Sequence, residues 1–386
     1  MPHLTLRAIK AKHGDSLLLF AKRATVLIDG GPSGVYNRFL RDQLRGLPKN
    51  NREPPVIDLL MVSHVDADHI DGILDLTAEL IEARDEDRDP IVHIRTAWHN
   101  SFADTIARIT GTSASAARGK AASLASVFDE IAIDGFDPHE SKLVLSSVAQ
   151  GRQLRLDLKA LNIDINPQFK DRMALHGNAA VPWKHGALTL EVIGPEQQQI
   201  DKLRDEWAKK LKKILEKEAD AQTAARSMDT SVSNLASIVV AAEAGGKTAL
   251  LTGDARGEMV IQWLEQNGRL AMGGKAHFDI VKLPHHGSDR NVTNEFFQRV
   301  TADHYVVCGD GKHGNPEPHT LQMLFVARPD LNYTVHMTYG PEEIKTHRAF
   351  KKSGLVAQLD KVLADPARRK VLNFPTNGDK YIDIEV

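Results

Sequence analysis

The sequence predicts an α/β protein, because strand-like runs cluster at both ends of the chain and segments with helical spacing lie between them. The runs are short, and they either alternate apolar and polar residues or are apolar throughout, which is typical of β-strands. The predicted strands cover residues 4–9, 16–20, 25–28, 58–62, 188–193, 236–241, 248–251, 280–283 and 305–308. Strands grouped in this way, with helices between them, favour packed layers of sheet and helix.

Three segments show helical periodicity. Residues 70–84 follow the fourth predicted strand and carry apolar side chains close to a helical period. Residues 105–132 are rich in Ala, Ser and Thr, and residues 196–225 are strongly charged with one apolar stripe. We therefore predict one domain over residues 1–386, with helical insertions at 101–187 and 196–230.

The last residues carry a hairpin signal. Two strand-like runs, 371–374 and 381–386, flank Asn377-Gly378, a dipeptide typical of tight hairpin turns. We expect these two strands to pair with each other.

The composition excludes several classes of protein. Lys and Arg number 49 against 51 Asp and Glu, so the net charge of -2 provides no general basic field for nucleic acid. Cys308 is the single cysteine, which excludes intrachain disulfides and leaves the 17 His residues as the soft metal ligands. Residues 1–20 lack the apolar stretch of a signal peptide, and no window reaches the apolar length of a membrane span. We expect a cytoplasmic protein without a membrane segment.

The strongest chemical signal follows the fourth predicted strand. His64, Asp66, Asp68 and His69 lie in a stretch of six residues directly before a predicted helix, where one loop can turn all four toward one point. A loop that only caps a helix would also be polar, but a cap needs a single side chain and leaves the others unexplained. We interpret this segment as a metal-binding loop.

Two later strands also end at potential ligands. Asp254 follows the predicted strand 248–251, and His285 and His286 follow the predicted strand 280–283. A single Asp at a strand end forms a turn more often than it binds a metal. A pair of His residues is as often an exposed surface pair as a pair of ligands. Three strand ends together offer the nitrogen and oxygen donors that a first-row divalent metal binds. The sequence therefore predicts a metal centre.

The motif His64-x-Asp66-x-Asp68-His69 resembles the signature loop of the metallo-β-lactamase fold superfamily, in the variant whose second His is replaced by Asp. Within that superfamily the chain is most similar to the hydrolase domain of ComEC-type DNA-uptake proteins and their stand-alone relatives. The likeness continues in the same order along the chain through Gly14-Asp15-Ser16, Leu27-Ile28-Asp29-Gly30-Gly31, Asn234-Leu235-Ala236-Ser237-Ile238-Val239, Leu250-Leu251-Thr252-Gly253-Asp254 and Leu283-Pro284-His285-His286-Gly287-Ser288. The resemblance implies an αββα sandwich with a dinuclear metal site at one edge of the paired sheets.

The resemblance also implies metal ligands. His64 and Asp66 would hold the first ion, and Asp68 and His69 the second. Asp254 would bridge both ions.

Three further residues have implied roles near this site. One of the two residues after Pro284 would complete the second ion's site; we favour His286 as the ligand and His285 as a substrate contact, and the reverse remains open. His99, near the end of a strand-like run, is the candidate third ligand of the first ion, although chance occurrence competes with this assignment among so many His residues. Asp29 would support a ligand rather than bind metal.

A site of this kind predicts hydrolysis. Two ions that share a carboxylate activate a bridging hydroxide and neutralise charge on the attacking and leaving oxygens, which suits a phosphodiester best. We expect a phosphodiesterase, with nuclease activity included, in which Asp68 orients the attacking hydroxide and His285, with Lys282 or Ser288, stabilises the oxyanion. The cofactors would be two divalent ions, Zn²⁺ or Mn²⁺, and the carboxylate-rich ligand set favours manganese in relative terms. The partner would be a phosphodiester substrate such as a nucleotide or nucleic acid.

Two other functions are compatible with the same sequence. A small-molecule hydrolase could act on a phospho-ester, lactone or thioester, because fold does not determine substrate. A binding or scaffolding protein that has lost catalysis would use the helical insertions as its interface, and the same insertions could join subunits of an oligomer. Retention of nearly every expected ligand argues against the scaffold.

Overall fold

The computed structural model describes residues 2–49, 54–100, 140–169, 173–198, 200–201, 236–376 and 378–386. The strands in these ranges are β1 (Leu4–Ile9), β2 (Leu17–Ala21), β3 (Ala24–Ile28), β4 (Val56–Ile57), β5 (Leu59–Val62), β6 (His93–Ile94), β7 (Thr96–His99), β8 (Asp164–Ile165), β9 (Trp183–His185), β10 (Leu188–Gly194), β11 (Val239–Ala244), β12 (Lys247–Leu251), β13 (Ala276–Lys282), β14 (Val300–Val307), β15 (Thr334–Met337), β16 (Leu372–Asn373) and β17 (Tyr381–Glu385). The α-helices are α1 (Arg41–Arg45), α2 (Ala67–Asp85), α3 (Glu140–Ala160), α4 (Gly257–Gln266), α5 (Asn294–Arg299), α6 (Pro318–Ala327), α7 (Pro341–Ile344), α8 (Arg348–Lys352), α9 (Leu355–Val362) and α10 (Pro366–Lys370). A π-helical turn covers Tyr36–Leu40, and a 3₁₀ turn covers Pro284–Gly287.

The strands form two large sheets. The first has the order β17-β1-β2-β3-β5-β7-β8, and the second has the order β16-β15-β14-β13-β12-β11-β10-β9. Strands β3, β5 and β7 run parallel in the first sheet, as do β12, β13 and β14 in the second. Strands β4 and β6 make a separate parallel pair.

The two sheets pack face to face, with helices on both outer faces. Strand β2 is apolar throughout because both of its faces are buried. Leu17 and Leu19 belong to the core between the sheets, whereas Leu18 belongs to the core under the outer helices. A strand buried on both faces needs apolar side chains on both sides. Helix α2 covers the first sheet through residues such as Ile73, and helix α4 covers the second through residues such as Trp263. The predicted αββα arrangement is confirmed.

The predicted terminal hairpin is wrong. Strand β16 pairs in parallel with β15 in the second sheet, whereas β17 pairs antiparallel with β1 in the first. Arg7 on β1 donates two hydrogen bonds of 2.8 Å to the carboxylate of Asp383 and stacks 3.8 Å from the ring centroid of Tyr381. These long-range contacts, together with the backbone pairing, outweigh the local turn preference around Gly378.

The predicted insertions lie largely outside the described residues. The segment 105–132 is entirely outside them, and the segment 196–225 is described only at residues 196–198 and 200–201. Within the predicted insertion 101–187, the described part contains the helix α3 but also the strands β8 and β9, which extend one sheet each. In the part of the chain that the structure describes, no helix has the length and apolar character needed to cross a bilayer.

Candidate metal centre

The carboxyl ends of the parallel strands from both sheets meet at one edge of the sandwich. Asp29 follows β3, His64 comes two residues after β5, and His99 is the last residue of β7. Asp254 comes shortly after β12, and His286 shortly after β13. Open α/β sheets place ligand-binding side chains at this edge because the loops there can converge on one point.

A close backbone contact positions the first turn of helix α2. A Cβ atom on Gly72 would lie 2.0 Å from the carbonyl oxygen of Gly30, and a Cβ atom on Gly30 would lie 2.4 Å from the nitrogen of Ile73. Both positions therefore require glycine. Gly30 N also donates a hydrogen bond of 2.7 Å to the carbonyl oxygen of His69. The contact brings His69 beside the end of β3, where Asp29 lies.

The carboxylate of Asp254 lies at the centre of the cluster. Its Oδ1 is 3.3 Å from His69 Nε2, and its Oδ2 is 3.6 Å from His64 Nε2 and 3.4 Å from His286 Nε2. The first sheet supplies two of these imidazoles and the second sheet supplies the third. The carboxylate also lies 3.6 Å from His285 Nε2.

Two carboxylates from the metal-binding loop complete the cluster. Asp68 Oδ2 is 3.3 Å from His286 Nε2 and 4.0 Å from His69 Nε2. Asp66, the residue before the first turn of α2, places Oδ2 at 3.8 Å from His64 Nε2. Both carboxylates are about one quarter exposed or less, so they lie on the accessible side of the cluster.

The nitrogen and oxygen atoms at the centre of the cluster are placed to bind a metal ion rather than to hydrogen-bond with one another. Among the described residues, the Nε2 atoms of His64, His69 and His286 and the Oδ1 atom of Asp254 are buried without a hydrogen-bond partner. Buried polar atoms normally have partners, and several unpartnered donors of nitrogen and oxygen type that face one point are the set that binds a divalent cation. The residues present therefore fit a metal centre.

Two buried carboxylates orient two of the imidazoles. Asp29 Oδ2 lies 2.8 Å from His69 Nδ1 and accepts a 2.6 Å hydrogen bond from Ser63 Oγ, while Ser63 N donates to Asp29 Oδ1 at 2.7 Å. Asp15 Oδ1 lies 3.0 Å from His286 Nδ1. When Nδ1 donates to a carboxylate, Nε2 is left as a lone pair that can bind metal.

Asp15 also contacts a buried lysine. The Nζ atom of Lys282, which is 1% exposed, contacts Asp15 and donates a hydrogen bond of 2.9 Å to the carbonyl oxygen of Gly253. The same ammonium lies 3.8 Å from Asp254 Oδ1. Asp15 is close enough to the cluster to act as a donor, but its carboxylate contacts Nδ1 of His286 and the ammonium of Lys282. We therefore describe Asp15 as orienting His286.

The burial of the cluster shifts the pKa values of its members. Burial lowers the pKa of His64 to about 4, and the charge of His69 acts in the same direction. Burial also opposes charge on His69 and His286, but the carboxylate of Asp254 outweighs it and holds both pKa values well above the usual range. Burial alone would raise the pKa of Asp254, but the surrounding imidazoles, His286 first among them, outweigh burial and hold this pKa well below the usual range. Protons and a divalent cation would compete for the same nitrogens, so metal binding would release protons.

The two consecutive histidines after β13 occupy different environments. His285 and His286 both have positive φ angles, 45° and 53°, a region that side chains other than glycine rarely adopt. This turn buries His286 against the cluster, at 2% side-chain exposure, and leaves His285 23% exposed. His286 is therefore the more buried of the two and lies against the cluster, and the predicted roles of His286 as metal ligand and His285 as substrate contact stay predictions.

His99 is buried at the end of β7, beside the residues that lead into the metal-binding loop. Strand pairing places it opposite Val62, two residues before His64. A Cβ atom on Gly151 of α3 would lie 3.7 Å from His99 Nε2 and 3.1 Å from a methyl group of Val65. The structure therefore places His99 near the loop, and its role as a ligand of the first ion stays a prediction.

Sequence reasoning missed the roles of Asp15 and Lys282. Asp15 belongs to a segment that resembles the superfamily, but nothing in its local pattern shows that it contacts His286, which lies far along the chain. Lys282 was expected among groups that stabilise an oxyanion, whereas its ammonium is buried beneath the cluster. The available signal was a single charged residue among the apolar residues of the predicted strand 280–283.

Residues 10–141 match a family model described as the Metallo-beta-lactamase superfamily. The matched range includes the metal-binding loop, and the remaining members of the cluster come from the second sheet. Over this part of the chain, the sequence is similar to the metallo-beta-lactamase superfamily. Proteins with the fold of this superfamily are generally hydrolases. In this chain the clustered His and Asp residues could hold a metal ion.

The solved structures that are similar to this chain include the following two. One is the metallo-beta-lactamase fold protein YhfI from Bacillus subtilis, with 10% identity over 100% of each chain and a TM-score of 0.35. The other is Zn²⁺-bound PqqB from Methylobacterium extorquens, with 9% identity over 99% of this chain and 100% of that chain and a TM-score of 0.36. TM-scores this low do not bear on the function of this domain. No curated protein matches the chain significantly.

Proposed function

We propose that this protein is a divalent-metal-dependent hydrolase that cleaves phosphodiester bonds. The observation that carries the proposal is the buried carboxylate of Asp254, which three imidazoles from both sheets surround through nitrogen atoms that lack hydrogen-bond partners among the described residues. Both oxygens of this carboxylate face imidazole nitrogens that can bind metal, so the carboxylate is suited to be shared by two ions.

The proposed ligands divide into two groups around that shared carboxylate. His64, Asp66 and His99 would hold the first ion. Asp68, His69 and His286 would hold the second. The contacts of Asp29 with His69 and of Asp15 with His286 support the second group, because they fix the two rings with Nε2 toward the cluster.

The residues on the accessible side suggest how the chemistry is divided. Two bound divalent ions would supply activation of water and neutralisation of the charge that develops on a phosphoryl group. Asp68, 24% exposed, would accept the proton of the attacking water. His285, 23% exposed and 3.6 Å from Asp254, would donate a hydrogen bond to a phosphoryl oxygen.

The groups around the opening suit an anionic substrate, because Lys312 supplies positive charge and the imidazoles supply hydrogen-bond donors. His13, His285, Lys312 and His313 lie on loops near the exposed side of the cluster. Their electrostatic neighbours include Asp68 for His13 and His313, and Asp254 for His285. A nucleotide or nucleic acid is the phosphodiester that we propose as substrate. The order of the matching segments supports a further proposal, that the protein is a stand-alone relative of the ComEC-type hydrolase domain and acts in the cytoplasm.

The proposal is tested with protein that has been stripped of metal and then loaded with Mn²⁺ or Zn²⁺. We expect hydrolysis of bis(p-nitrophenyl) phosphate and not of lactone or thioester probes, with manganese more effective because three carboxylates enrich the site in oxygen donors. Asp254→Asn should lose metal and at least about 100-fold in rate, since changes to residues that only support ligands already cost 10–100-fold.

The matched control is Asp89→Asn, which changes an exposed carboxylate. It should retain the metal content and activity of the wild type. Hydrolysis of a lactone or thioester without hydrolysis of the phosphodiester would contradict the proposed substrate class. A wild-type protein that binds no divalent ion would contradict the proposed function as a whole.

A further inference from the structure

Two loops meet beside the metal centre and bring two histidines together. The loop between β1 and β2 lies on Asp68, because Asp15 N donates a hydrogen bond of 3.2 Å to the carbonyl oxygen of Asp68. The loop after β14 lies on the turn that carries His286, because Glu317 N donates a hydrogen bond of 3.0 Å to the carbonyl oxygen of Gly287. The two loops therefore border the same side of the cluster, the side that Asp68 and His286 occupy.

The meeting point of the loops is a contact between aromatic rings. The centroids of His13 and His313 lie 4.8 Å apart, and the ring planes are inclined by 75°. His313 and its neighbour Lys312 are exposed, and His13 is partly buried. We call His13, Lys312 and His313 the rim group. The charges of Asp68 and His286 act on the pKa values of His13 and His313.

The rim group contains an unused hydrogen-bonding atom. His13 Nδ1 is buried and has no hydrogen-bond partner in the described part of the chain. Burial, with the ammonium of Lys312, lowers the pKa of His13 to about 3, so this imidazole is neutral and its ring offers one N–H donor. Lys312 supplies a positive charge beside it. A neutral donor next to a cation, at the edge of a cluster that would itself bind cations, is a combination that suits an anionic oxygen.

We propose that His13, His313 and Lys312 bind a non-bridging phosphoryl oxygen of the substrate at the edge of the metal centre. The proposal rests on the proposed phosphodiesterase function and names the residues that position its substrate. The two imidazoles donate hydrogen bonds to the oxygen, His13 through Nε2 because its Nδ1 is buried, and Lys312 balances the charge of the oxygen. These residues position the phosphate and do not hold the metal.

The first experiment measures binding of inorganic phosphate by calorimetry. The proteins are the metal-loaded wild type and the variants His13→Ala, His313→Ala and Lys312→Ala, with His277→Ala and Lys351→Ala as controls that remove an exposed His and an exposed Lys elsewhere. We expect each rim variant to bind phosphate about tenfold more weakly, the effect of one hydrogen bond to a charged group. The metal content of each variant should equal that of the wild type, and both controls should bind phosphate normally.

The second experiment separates substrate binding from turnover. With bis(p-nitrophenyl) phosphate, the rim variants should raise KM by about tenfold and change kcat much less, because they remove a contact made in both ground and transition states. Unchanged phosphate affinity in all three variants would overturn the proposal, and so would a wild type that binds no phosphate. Acetate that binds more tightly than phosphate in a rim-dependent way would also overturn it, because the subsite would then recognise a carboxylate.

The two proposals can fail separately. If the wild type binds phosphate through the rim group but cleaves no phosphodiester, the proposed function fails and the subsite is supported. If the wild type cleaves the phosphodiester and the rim variants match it in both KM and phosphate affinity, the subsite fails and the proposed function is supported.

Discussion

The ammonium group of Lys282 is buried between two carboxylates, and the charge balance of the metal centre depends on it. It contacts Asp15 and lies 3.8 Å from Asp254 Oδ1. Burial opposes its charge, but the two carboxylates, Asp15 first, outweigh burial and hold its pKa above the usual range. A buried charge is stable only when it is paired, so the lysine and the carboxylates depend on one another.

Replacing this lysine tests that dependence. Lys282→Met keeps much of the side-chain volume and leaves two buried carboxylates without their cation, which should lower the free energy of unfolding by about 3–5 kcal/mol in the presence of a chelator. The loss should be smaller with bound metal, because the metal supplies positive charge to the same carboxylates. Urea unfolding in both conditions measures the effect.

The double variant Lys282→Met/Asp15→Asn serves as the control for this prediction. It removes the charge of both partners, so its cost should be well below the sum of the two single costs. Purely additive costs would show that Lys282 does not act through Asp15.

At the residue scale the sequence predicted the cluster but not its support. The residues of the metal-binding loop could be predicted because four polar side chains follow a buried strand within one short segment, and Asp254 and His286 could be predicted by comparable strand-end positions. The contact of Asp15 with His286 joins residues 271 positions apart. A contact at that separation leaves no periodic or local signal in the sequence.

The secondary-structure elements show the same distinction between local and long-range information. Strands such as β1, β2 and β3 could be predicted because each buries a regular pattern of apolar side chains. The pairing of β17 with β1 could not, since the Asn377-Gly378 signal is local and the partner strand lies at the other end of the chain. Strands β8 and β9 are only two and three residues long, too short for a period to be recognised.

Helix α3 has a glycine where it passes His99. Gly151 is buried, and a Cβ atom there would lie 3.1 Å from a methyl group of Val65 and 3.7 Å from His99 Nε2. Glycine costs about 1 kcal/mol relative to alanine in a helix interior. Because Gly151 has no side chain, the imidazole of His99 fits between helix α3 and the metal-binding loop.

A larger side chain at this position should displace His99 and so test its role. Gly151→Leu should lower the number of metal ions bound per chain, because the leucine side chain extends toward His99 and Val65. Gly151→Ala is the matched control: its methyl group makes one tight contact with Val65, and the gain in helix propensity offsets part of that cost. Metal content by mass spectrometry and helix content by circular dichroism measure the outcome. A folded Gly151→Leu protein with the metal content of the wild type, together with a His99→Ala protein that also keeps it, would exclude His99 as a ligand.

At the scale of the whole molecule, the metal centre depends on both sheets. The first sheet supplies the metal-binding loop and His99, and the second supplies Asp254, His285 and His286. Neither sheet alone carries all of the proposed ligands, so these side chains converge only when the core between the sheets is packed. A ligand that binds only this packed state stabilises it by mass action. Bound metal should therefore contribute to the stability of the sandwich as well as to its chemistry.

A second group of polar side chains couples the stability of the second sheet to pH. His336 on β15 is 5% exposed, and its ring nitrogens lie 3.0 Å from His304 Nδ1 on β14 and 3.2 Å from Asn373 Nδ2 on β16. Burial, with the neighbouring His304, lowers the pKa of His336 from 6.5 to about 3. The imidazole is therefore neutral in the folded protein over a pH range in which it would be charged in the unfolded chain.

Because the folded-state pKa of His336 lies below its unfolded value, the unfolded chain binds more protons between about pH 3 and 6.5. The stability that neutral His336 contributes is fully present above pH 6.5 and is lost as the pH falls toward 3, by up to about 1.4 kcal/mol per pH unit. His336→Gln removes this titration and keeps a polar side chain that can bond His304 and Asn373, so its free energy of unfolding should fall less steeply with acid. Urea unfolding between pH 4 and 8, in a chelator so that metal binding does not contribute, gives the slope for each protein, and His277→Gln on the exposed face of β13 is the control that should follow the wild type. Equal slopes for His336→Gln and the wild type would show that protonation of this histidine is not what weakens the second sheet in acid.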